Sequence, residues 1–236
     1  MKQLIDYFER NSIAYDDSVI RKFDAYRGGI LQWNEFVNLT AIKDPEEFTL
    51  KHFVDSVTCF NLEEYKKANT VLDLGTGAGF PGVPLAILSP EKEFVLVDSL
   101  NKRLKIIQEL CENIGINNVK TIHGRAEDLA QNPAHRQMYD ICVSRAVANL
   151  NVLFEYCLPF VNTGGYMFAY KGAGAENEIN LAKNVMKKLG AGEYRLEETY
   201  IGEDAKDHRI LIVKKAGKTP SKYPRKAGIP AKEPLK

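Results

Sequence analysis

The chain has little of several features that would restrict its fold or location. Only four of its 236 residues are cysteines, and no two of them form a Cys-x-x-Cys pair. We therefore expect reduced, structural thiols, a cytoplasmic protein and no metal. No apolar run approaches the roughly eighteen residues of a membrane helix, and the first residues, MKQLIDYFERN, are charged. The sequence thus predicts neither a membrane span nor a secretory signal.

A strong excess of either charge is also missing, because the formal net charge is +1. This average conceals an asymmetry. Residues 214–236 contain eight Lys or Arg against Glu233 alone, a net charge of +7, whereas the remainder has 24 basic and 30 acidic residues. A basic, proline-rich segment on a mildly acidic body is expected either to contact a polyanion or to be a solvated terminus. Charge alone leaves both open.

The pattern of apolar residues divides the chain into three parts. Residues 1–66 are expected to form an N-terminal helical extension packed on the core. Residues 67–215 alternate between strands and helices, which predicts a mostly parallel, doubly wound sheet with ligand sites at the carboxyl ends of its strands. Residues 216–236, with four prolines, predict an extended basic tail.

The individual elements follow from the same periodicity. Helices are predicted at 2–10, 16–38, 45–60 and 101–114. Strands are predicted at 70–74, 94–98, 119–123, 139–143, 166–170 and 208–213, with an antiparallel closure between 194–201 and 208–214.

The most informative stretch is VLDLGTGAGFPGVPLAI, which begins at Val71. One frame, Gly77-x-Gly79-x-x-Gly82, fits a dinucleotide site, but it places Pro81 where backbone N–H groups should face a pyrophosphate. The other frame, Asp73-x-Gly75-x-Gly77-x-Gly79, fits the first loop of an S-adenosylmethionine (SAM) methyltransferase. There the strand-end carboxylate suits the ammonium of SAM or its water shell, and the glycines let the backbone approach the ligand. The second frame fits better.

Two further strand ends support adenosine binding. Asp98 closes the second strand, where a carboxylate can accept both ribose hydroxyls; NAD folds use the same arrangement, so Asp98 does not select the cofactor. The third strand is followed by Arg125-Ala126-Glu127-Asp128. Methyltransferases usually place an acidic residue and a backbone N–H against adenine here; the alternative is that Glu127 and Asp128 only cap the next helix.

The turn after the fourth strand normally touches the methyl acceptor, and here it contains Ser144-Arg145-Ala146. The Asn/Asp-Pro-Pro-Tyr/Phe turn of amine methyltransferases is absent, as is the Pro-Cys of pyrimidine C5 methyltransferases. What remains is an acceptor with an in-plane lone pair, such as guanine N7, which needs in-line placement and no general base. Arg145 could bind the base edge, a phosphate or the SAM carboxylate, or only form a surface ion pair.

These segments together resemble the RsmG (GidB) family, bacterial enzymes that methylate guanine N7 at one position of 16S ribosomal RNA. The resemblance extends over most of the chain, and its combination of motifs is specific. It is carried by Trp33-Asn34, Asn38-Leu39-Thr40, Lys51 to Ser56, Asp73 to Gly82, Asp98 to Arg103, Arg125-Ala126-Glu127, Ser144-Arg145-Ala146 and Tyr223 to Pro230.

The resemblance implies a Rossmann-like class I SAM-dependent methyltransferase with a seven-stranded, mostly parallel sheet. It implies cofactor contacts at Gly75, Phe80, Ala126, Glu127 and Arg145, to which the residue pattern adds Asp73, Gly77 and Asp98. Arg145 is the expected catalytic residue. The implied partner is 16S rRNA within the small ribosomal subunit, methylated by a monomer, with RNA contacts predicted at Arg125, Lys171, Arg225 and Lys226.

Two other functions remain open. A SAM- or RNA-binding assembly factor without catalysis would bind SAM but transfer no methyl group to a ribosomal particle. An NAD(P)-dependent reductase would show the opposite cofactor selectivity.

Overall fold

A seven-stranded sheet forms the centre of the molecule in the computed structural model, which describes residues 1–202 and 207–236. The strand order is β3-β2-β1-β4-β5-β7-β6; β7 pairs antiparallel with β5 and β6, and the other described pairings are parallel. The predicted α/β class with a mostly parallel sheet is confirmed. The strands are β1 (Thr70–Leu74), β2 (Glu93–Asp98), β3 (Val119–His123), β4 (Tyr139–Arg145), β5 (Val161–Lys171), β6 (Ala191–Thr199) and β7 (His208–Lys215).

The helices cover both faces of this sheet. They are α1 (Lys2–Arg10), α2 (Asp17–Trp33), α3 (Pro45–Phe48), a π-helical turn (Thr49–Val54), α4 (Asp55–Val57), α5 (Glu63–Lys67), α6 (Gly82–Leu88), α7 (Asn101–Ile114), α8 (Ala126–Leu129), α9 (Leu150–Cys157), α10 (Ala175–Lys188) and α11 (Ile229–Lys232), with a 3₁₀ turn at Leu158–Phe160. Among the described residues, no helix is long and apolar enough to cross a membrane.

Two predicted helices end earlier than their periodicity suggests. The helix predicted over 16–38 stops at Trp33, because the Asn34 side chain accepts hydrogen bonds from the backbone N–H groups of Leu39 and Thr40 and closes a loop. The helix predicted over 45–60 begins as expected, with Asp44 capping the N–H groups of Glu46 and Glu47, but it contains the π-helical turn and ends at Val57.

The N-terminal helices share one apolar core with the sheet. Phe23, Tyr26, Phe48 and Phe53 are all fully buried in the cluster that also contains sheet residues such as Val71. Tyr26 also donates a hydrogen bond to the carbonyl of Ala78, inside the glycine loop, at 2.9 Å. The N-terminal helices therefore contact the residues that shape the candidate site.

The prediction of an extended tail is wrong, because residues 216–236 pack along the body. Arg225 forms an ion pair with Glu155 of α9, whose side chain is fully buried, and the short helix α11 follows. A buried carboxylate is costly unless it is paired, so Glu155 fixes Arg225 in place. Prolines exclude long regular structure from this segment, but they do not prevent it from docking through polar side chains.

Candidate cofactor and acceptor site

The glycine loop after β1 has the backbone that its sequence predicts. Gly75, Gly77 and Gly79 have φ angles of +74°, +60° and +87°. Residues other than glycine rarely adopt such positive φ angles. A Cβ on Gly75 would lie 2.4 Å from Cγ2 of Val147, whereas a Cβ on Gly77 would meet nothing within 4 Å. The loop therefore packs closely beneath Gly75 and leaves open space over Gly77.

Asp73 lies beneath this loop. Its Oδ2 accepts hydrogen bonds from Thr76 Oγ1 at 2.6 Å and from the Gly82 N–H at 2.8 Å, and the residue is fully buried. Burial raises the pKa of Asp73 to about 6, although the two hydrogen bonds act to lower it. Its Oδ1 is buried and has no partner among the described residues. Asp73 thus shapes the loop, and a direct contact with a cofactor ammonium remains a prediction that only Oδ1 could satisfy.

Asp98 closes β2 beside the same loop. Its Oδ2 accepts a hydrogen bond from the Gly77 N–H and its Oδ1 accepts one from the Leu100 N–H, both at 2.9 Å. Each carboxylate oxygen can accept a further hydrogen bond. The carboxylate is therefore fixed by backbone donors while it retains capacity for two hydroxyl groups.

At the end of β3, Glu127 points into the body rather than into solvent. It is 4% exposed, and its Oε1 accepts a hydrogen bond from the Gly228 N–H of the C-terminal segment at 2.8 Å. Ala126 begins the short helix α8 beside it. The sequence predicts the importance of this strand end, but it gives no indication that residue 228 would reach it.

Phe80 connects the glycine loop to the N-terminal helices. Its ring stacks on His52, with centroids 4.5 Å apart and planes 7° from parallel, and it meets the Phe48 ring edge-on at 5.7 Å. The Arg145 guanidinium carbon lies 5.4 Å from the centroid of the Phe80 ring. Phe80 thus places the loop, the N-terminal helices and the end of β4 in contact.

Arg145 is held by three acceptors on the segment that contains the π-helical turn. Nη1 donates to Asp55 Oδ2 at 2.6 Å and to the Lys51 carbonyl at 3.0 Å, and Nη2 lies 3.2 Å from His52 Nδ1. On its other side, Asp55 Oδ1 lies 2.9 Å from His208 Nδ1. Burial alone would raise the pKa of Asp55, but His208 and Arg145 outweigh it and the pKa is lowered. Asp55 is therefore the anion that fixes Arg145.

His52 is neutral in this arrangement. Burial, and then the neighbouring charge of Arg145, lower its pKa to about 3. Because arginine only donates, Nδ1 must accept from Arg145 and Nε2 must carry the proton. That Nε2–H lies 2.7 Å from Thr40 Oγ1, and Thr40 in turn is held by Asn34. A chain of hydrogen bonds thus connects the loop after α2 to Arg145.

A cavity of about 470 Å³ opens next to Arg145, between the ends of β4, β5 and β7. Its lining includes Asp55, Arg145, Tyr170, Lys171 and His208. Lys171 pairs with Glu178 at 2.8 Å and donates to the Ala148 carbonyl at 3.0 Å, which braces the turn after β4. In this turn Ala146 has a φ of +56°, a strained value for a residue with a side chain.

The four predicted RNA-binding residues differ in their surroundings. Arg125 and Lys226 are exposed. Lys171 and Arg225 are instead paired with carboxylates, Lys171 with the partly exposed Glu178 and Arg225 with the buried Glu155. RNA binding by all four remains a prediction.

Sequence reasoning left one part of the site without a role. The sequence analysis includes His52 and Asp55 only within the segment Lys51 to Ser56 that carries the family resemblance, and it assigns no role to His208. The useful indication would have been spacing, since His52 and Asp55 lie three residues apart and share one helix face. Nothing local indicates that β7 brings His208 to them.

Comparison with known proteins agrees with this geometry. The family model described as GidB, rRNA small subunit methyltransferase G, matches residues 19–205. The chain is 46% identical over 227 residues to the ribosomal RNA small subunit methyltransferase G of Alkaliphilus oremlandii, covering 95% of this chain and 94% of the relative. It is 43% identical over 224 residues to that of Clostridium tetani, with the same two coverages.

Solved structures show the same fold at low sequence identity. The O-methyltransferase from Bacillus cereus in complex with SAH superposes with a TM-score of 0.58 at 20% identity, over 89% of this chain and 96% of that one. TomG from Streptomyces achromogenes, an O-methyltransferase in complex with SAM, gives a TM-score of 0.55 at 15% identity, over 89% and 95%.

Proposed function

Because this chain belongs to the GidB family, the rRNA small subunit methyltransferases G, we infer that it transfers a methyl group from SAM to N7 of a single guanine in 16S rRNA. It is an enzyme whose substrate is ribosomal RNA of the small subunit. The observation that carries the assignment to this site is the position of Arg145. Its side chain is fixed by Asp55, borders an open cavity and lies next to Phe80 of the glycine loop.

The residues at the loop fit SAM. Open space over Gly77 allows a ligand to approach the backbone, and Asp98 offers carboxylate oxygens for two hydroxyl groups. Ala126 and Glu127 would face the adenine, while Gly75, Phe80 and Arg145 would enclose the amino-acid end. Asp73 would reach the ammonium through Oδ1, the atom that has no partner among the described residues. When bound, SAM supplies an electrophilic methyl group on sulfur.

Arg145 would orient the acceptor base. Three of its N–H groups are taken by Lys51, Asp55 and His52, whereas Nε–H and one Nη2–H have no acceptor among the described residues. Guanine presents O6 next to N7 as an acceptor for arginine. A hydrogen bond to O6 alone would leave the N7 lone pair free for in-line attack, and no group has to remove a proton before that step.

The wider RNA contact would come from basic residues around this cavity. Arg125 and Lys226 are exposed, and we propose that they contact phosphates. Lys171 would contribute through the N–H that Glu178 and Ala148 leave free. Arg225 would add charge near the surface while paired with Glu155. We further propose that the enzyme acts as a monomer, in the bacterial cytoplasm where ribosomes are assembled.

The decisive experiment is methylation of small-subunit RNA from a strain that lacks this gene. Transfer of a methyl group from SAM should create one new site of N7-specific strand cleavage. SAM binding without any such site would instead indicate an assembly factor. Calorimetry with SAM and NADH distinguishes the methyltransferase and the assembly factor from a reductase, because a reductase would bind NADH in preference to SAM.

Arg145→Ala should reduce methyl transfer at saturating RNA about 100-fold, because the base loses the group that orients it. Turnover should be measured alongside the thermal unfolding midpoint. Arg21→Ala, which removes an exposed arginine from α2, is the matched control and should keep wild-type turnover. A folded Arg145→Ala protein with normal turnover would remove Arg145 from the mechanism.

A further inference from the structure

The C-terminal segment (residues 216–236) is attached to one short stretch of chain, residues 127–136, which follows β3. Gly228 donates its N–H to Glu127 at 2.8 Å. Gln131 donates to the Pro224 carbonyl at 2.8 Å. Arg136 donates to the Tyr223 and Ala130 carbonyls, both at 2.9 Å, so one guanidinium connects the segment to the C-cap residue that follows α8.

The attachment depends on Arg225. Its backbone N–H, its Nε and its Nη2 donate to the Glu155 carboxylate at 2.8, 2.9 and 2.7 Å. Both carboxylate oxygens are used, and Glu155 is fully buried. Bidentate pairing with arginine fixes direction as well as distance. Arg225 therefore seats the chain three residues before Gly228.

Gly228 is suited to the contact that follows. Its φ of +84° is the left-handed conformation that glycine adopts without strain, and a Cβ there would meet nothing within 4 Å. The glycine is thus required by backbone direction rather than by space. This conformation turns the N–H toward Glu127 just before α11 begins.

We propose that the C-terminal segment positions the adenine side of the cofactor site, with Arg225 on Glu155 holding Gly228 against Glu127. The inference rests on the proposed function, because it takes Ala126 and Glu127 as cofactor contacts. When the segment is docked, residues 124–130 are held in one conformation before the cofactor arrives. When it is undocked, binding must also order them, and the apparent affinity falls by the fraction of molecules that are competent.

The test uses full-length protein and S-adenosylhomocysteine, the demethylated form of the cofactor, as the calorimetric probe. The double variant Glu155→Met/Arg225→Ala removes the anchor without leaving an unpaired buried carboxylate. Its dissociation constant should rise about tenfold, the change expected when one charge-assisted hydrogen bond no longer preorganises a site. Lys232→Ala removes an exposed charge from α11 of the same segment and should bind as the wild type does.

Two readouts separate positioning from general destabilisation. In steady-state methylation, the rise in KM for SAM should exceed any fall in kcat that follows from loss of the RNA contact proposed for Arg225, and Lys232→Ala should leave KM for SAM at its wild-type value. Amide exchange should accelerate at 124–130 but not in β1 or α2, and trypsin should cleave between Lys218 and Lys226.

Wild-type affinity in a double variant that trypsin cleaves would overturn the inference, because the segment would then be released without consequence. Wild-type affinity without increased cleavage would overturn it as well, since Arg225 would not be the anchor. Failure of the wild-type protein to bind S-adenosylhomocysteine at all would refute the proposed function itself, and the inference with it.

Discussion

The two ends of the chain both pack against the sheet domain, but by different means. The N-terminal helices bury aromatic side chains, and the fully buried Phe53 packs against both Phe23 and Phe48. The C-terminal segment buries fewer apolar side chains, among them Tyr223 and Leu235, and relies more on polar contacts, since Arg225 pairs with Glu155 and Arg136 donates to its carbonyl groups.

This difference determines what can be recognised in a sequence and what can be disrupted. Apolar burial leaves a periodic pattern within one helix, and its free energy is spread over many contacts. Polar docking leaves no local pattern, because Arg225 and Glu155 are 70 residues apart. Its free energy is concentrated in a few bonds, so one substitution should release the segment.

The largest expected effect is at the apolar end. Phe23→Ala removes a fully buried ring that packs against Phe8 and Phe53, and it should lower the free energy of unfolding by about 3–5 kcal/mol. Chemical denaturation measures the change. Phe36→Ala is the matched control, because Phe36 is 75% exposed and its loss should be nearly neutral. Equal effects of the two substitutions would contradict the importance of this core.

A smaller and more local effect is expected at the polar end. Arg136→Ala removes hydrogen bonds to the Thr219, Pro220 and Tyr223 carbonyls, which should weaken docking of the segment by about 2 kcal/mol. The rate of tryptic cleavage after Lys218 should rise, while the main unfolding transition moves little. Arg10→Ala, an exposed arginine on α1, serves as the control. A shift of the main transition as large as that of Phe23→Ala would remove the distinction between the two ends.

Elements with internal periodicity were predictable from sequence. The helix predicted over 101–114 and the strand predicted over 70–74 both have those bounds. The strand leads directly into the glycine loop that the motif indicates, where three glycines have positive φ angles. The end of the helix predicted over 16–38 was not predictable from periodicity. The Asn34 side chain accepts from the backbone N–H groups of Leu39 and Thr40, and the pattern of apolar residues carries no sign of such a contact.

The candidate site was predictable at its strand ends and not between them. Asp98 and Glu127 lie at the carboxyl ends of neighbouring strands, where topology alone places ligand residues. The pairing of Arg145 with Asp55 joins residues 90 apart, and His208 reaches Asp55 only because β7 inserts between β5 and β6. Charge counting could not show that residues 216–236 dock on the body, since it records cations but not the buried carboxylate that pairs with one of them.

The smallest expected effect tests a polar contact within the N-terminal packing, that of His52 with Arg145. His52 has a pKa of about 3 in the folded protein, lowered from 6.5 by burial and by Arg145. The unfolded chain therefore binds a proton on His52 at a higher pH than the folded chain does. Stability that depends on neutral His52 is complete above pH 6.5 and is lost as the pH falls toward 3.

At pH 5.5 this loss should amount to about 1.4 kcal/mol, one pH unit below the unfolded pKa. His52→Gln cannot be protonated, so its free energy of unfolding should decline less between pH 7 and 5.5 than that of the wild type. His123→Gln, at an exposed histidine, should retain the wild-type decline. Parallel pH profiles for wild type and His52→Gln would mean that folding leaves the pKa of His52 unchanged. His52 would then be protonated in the folded protein at pH 5.5, and its Nδ1 could not accept from Arg145.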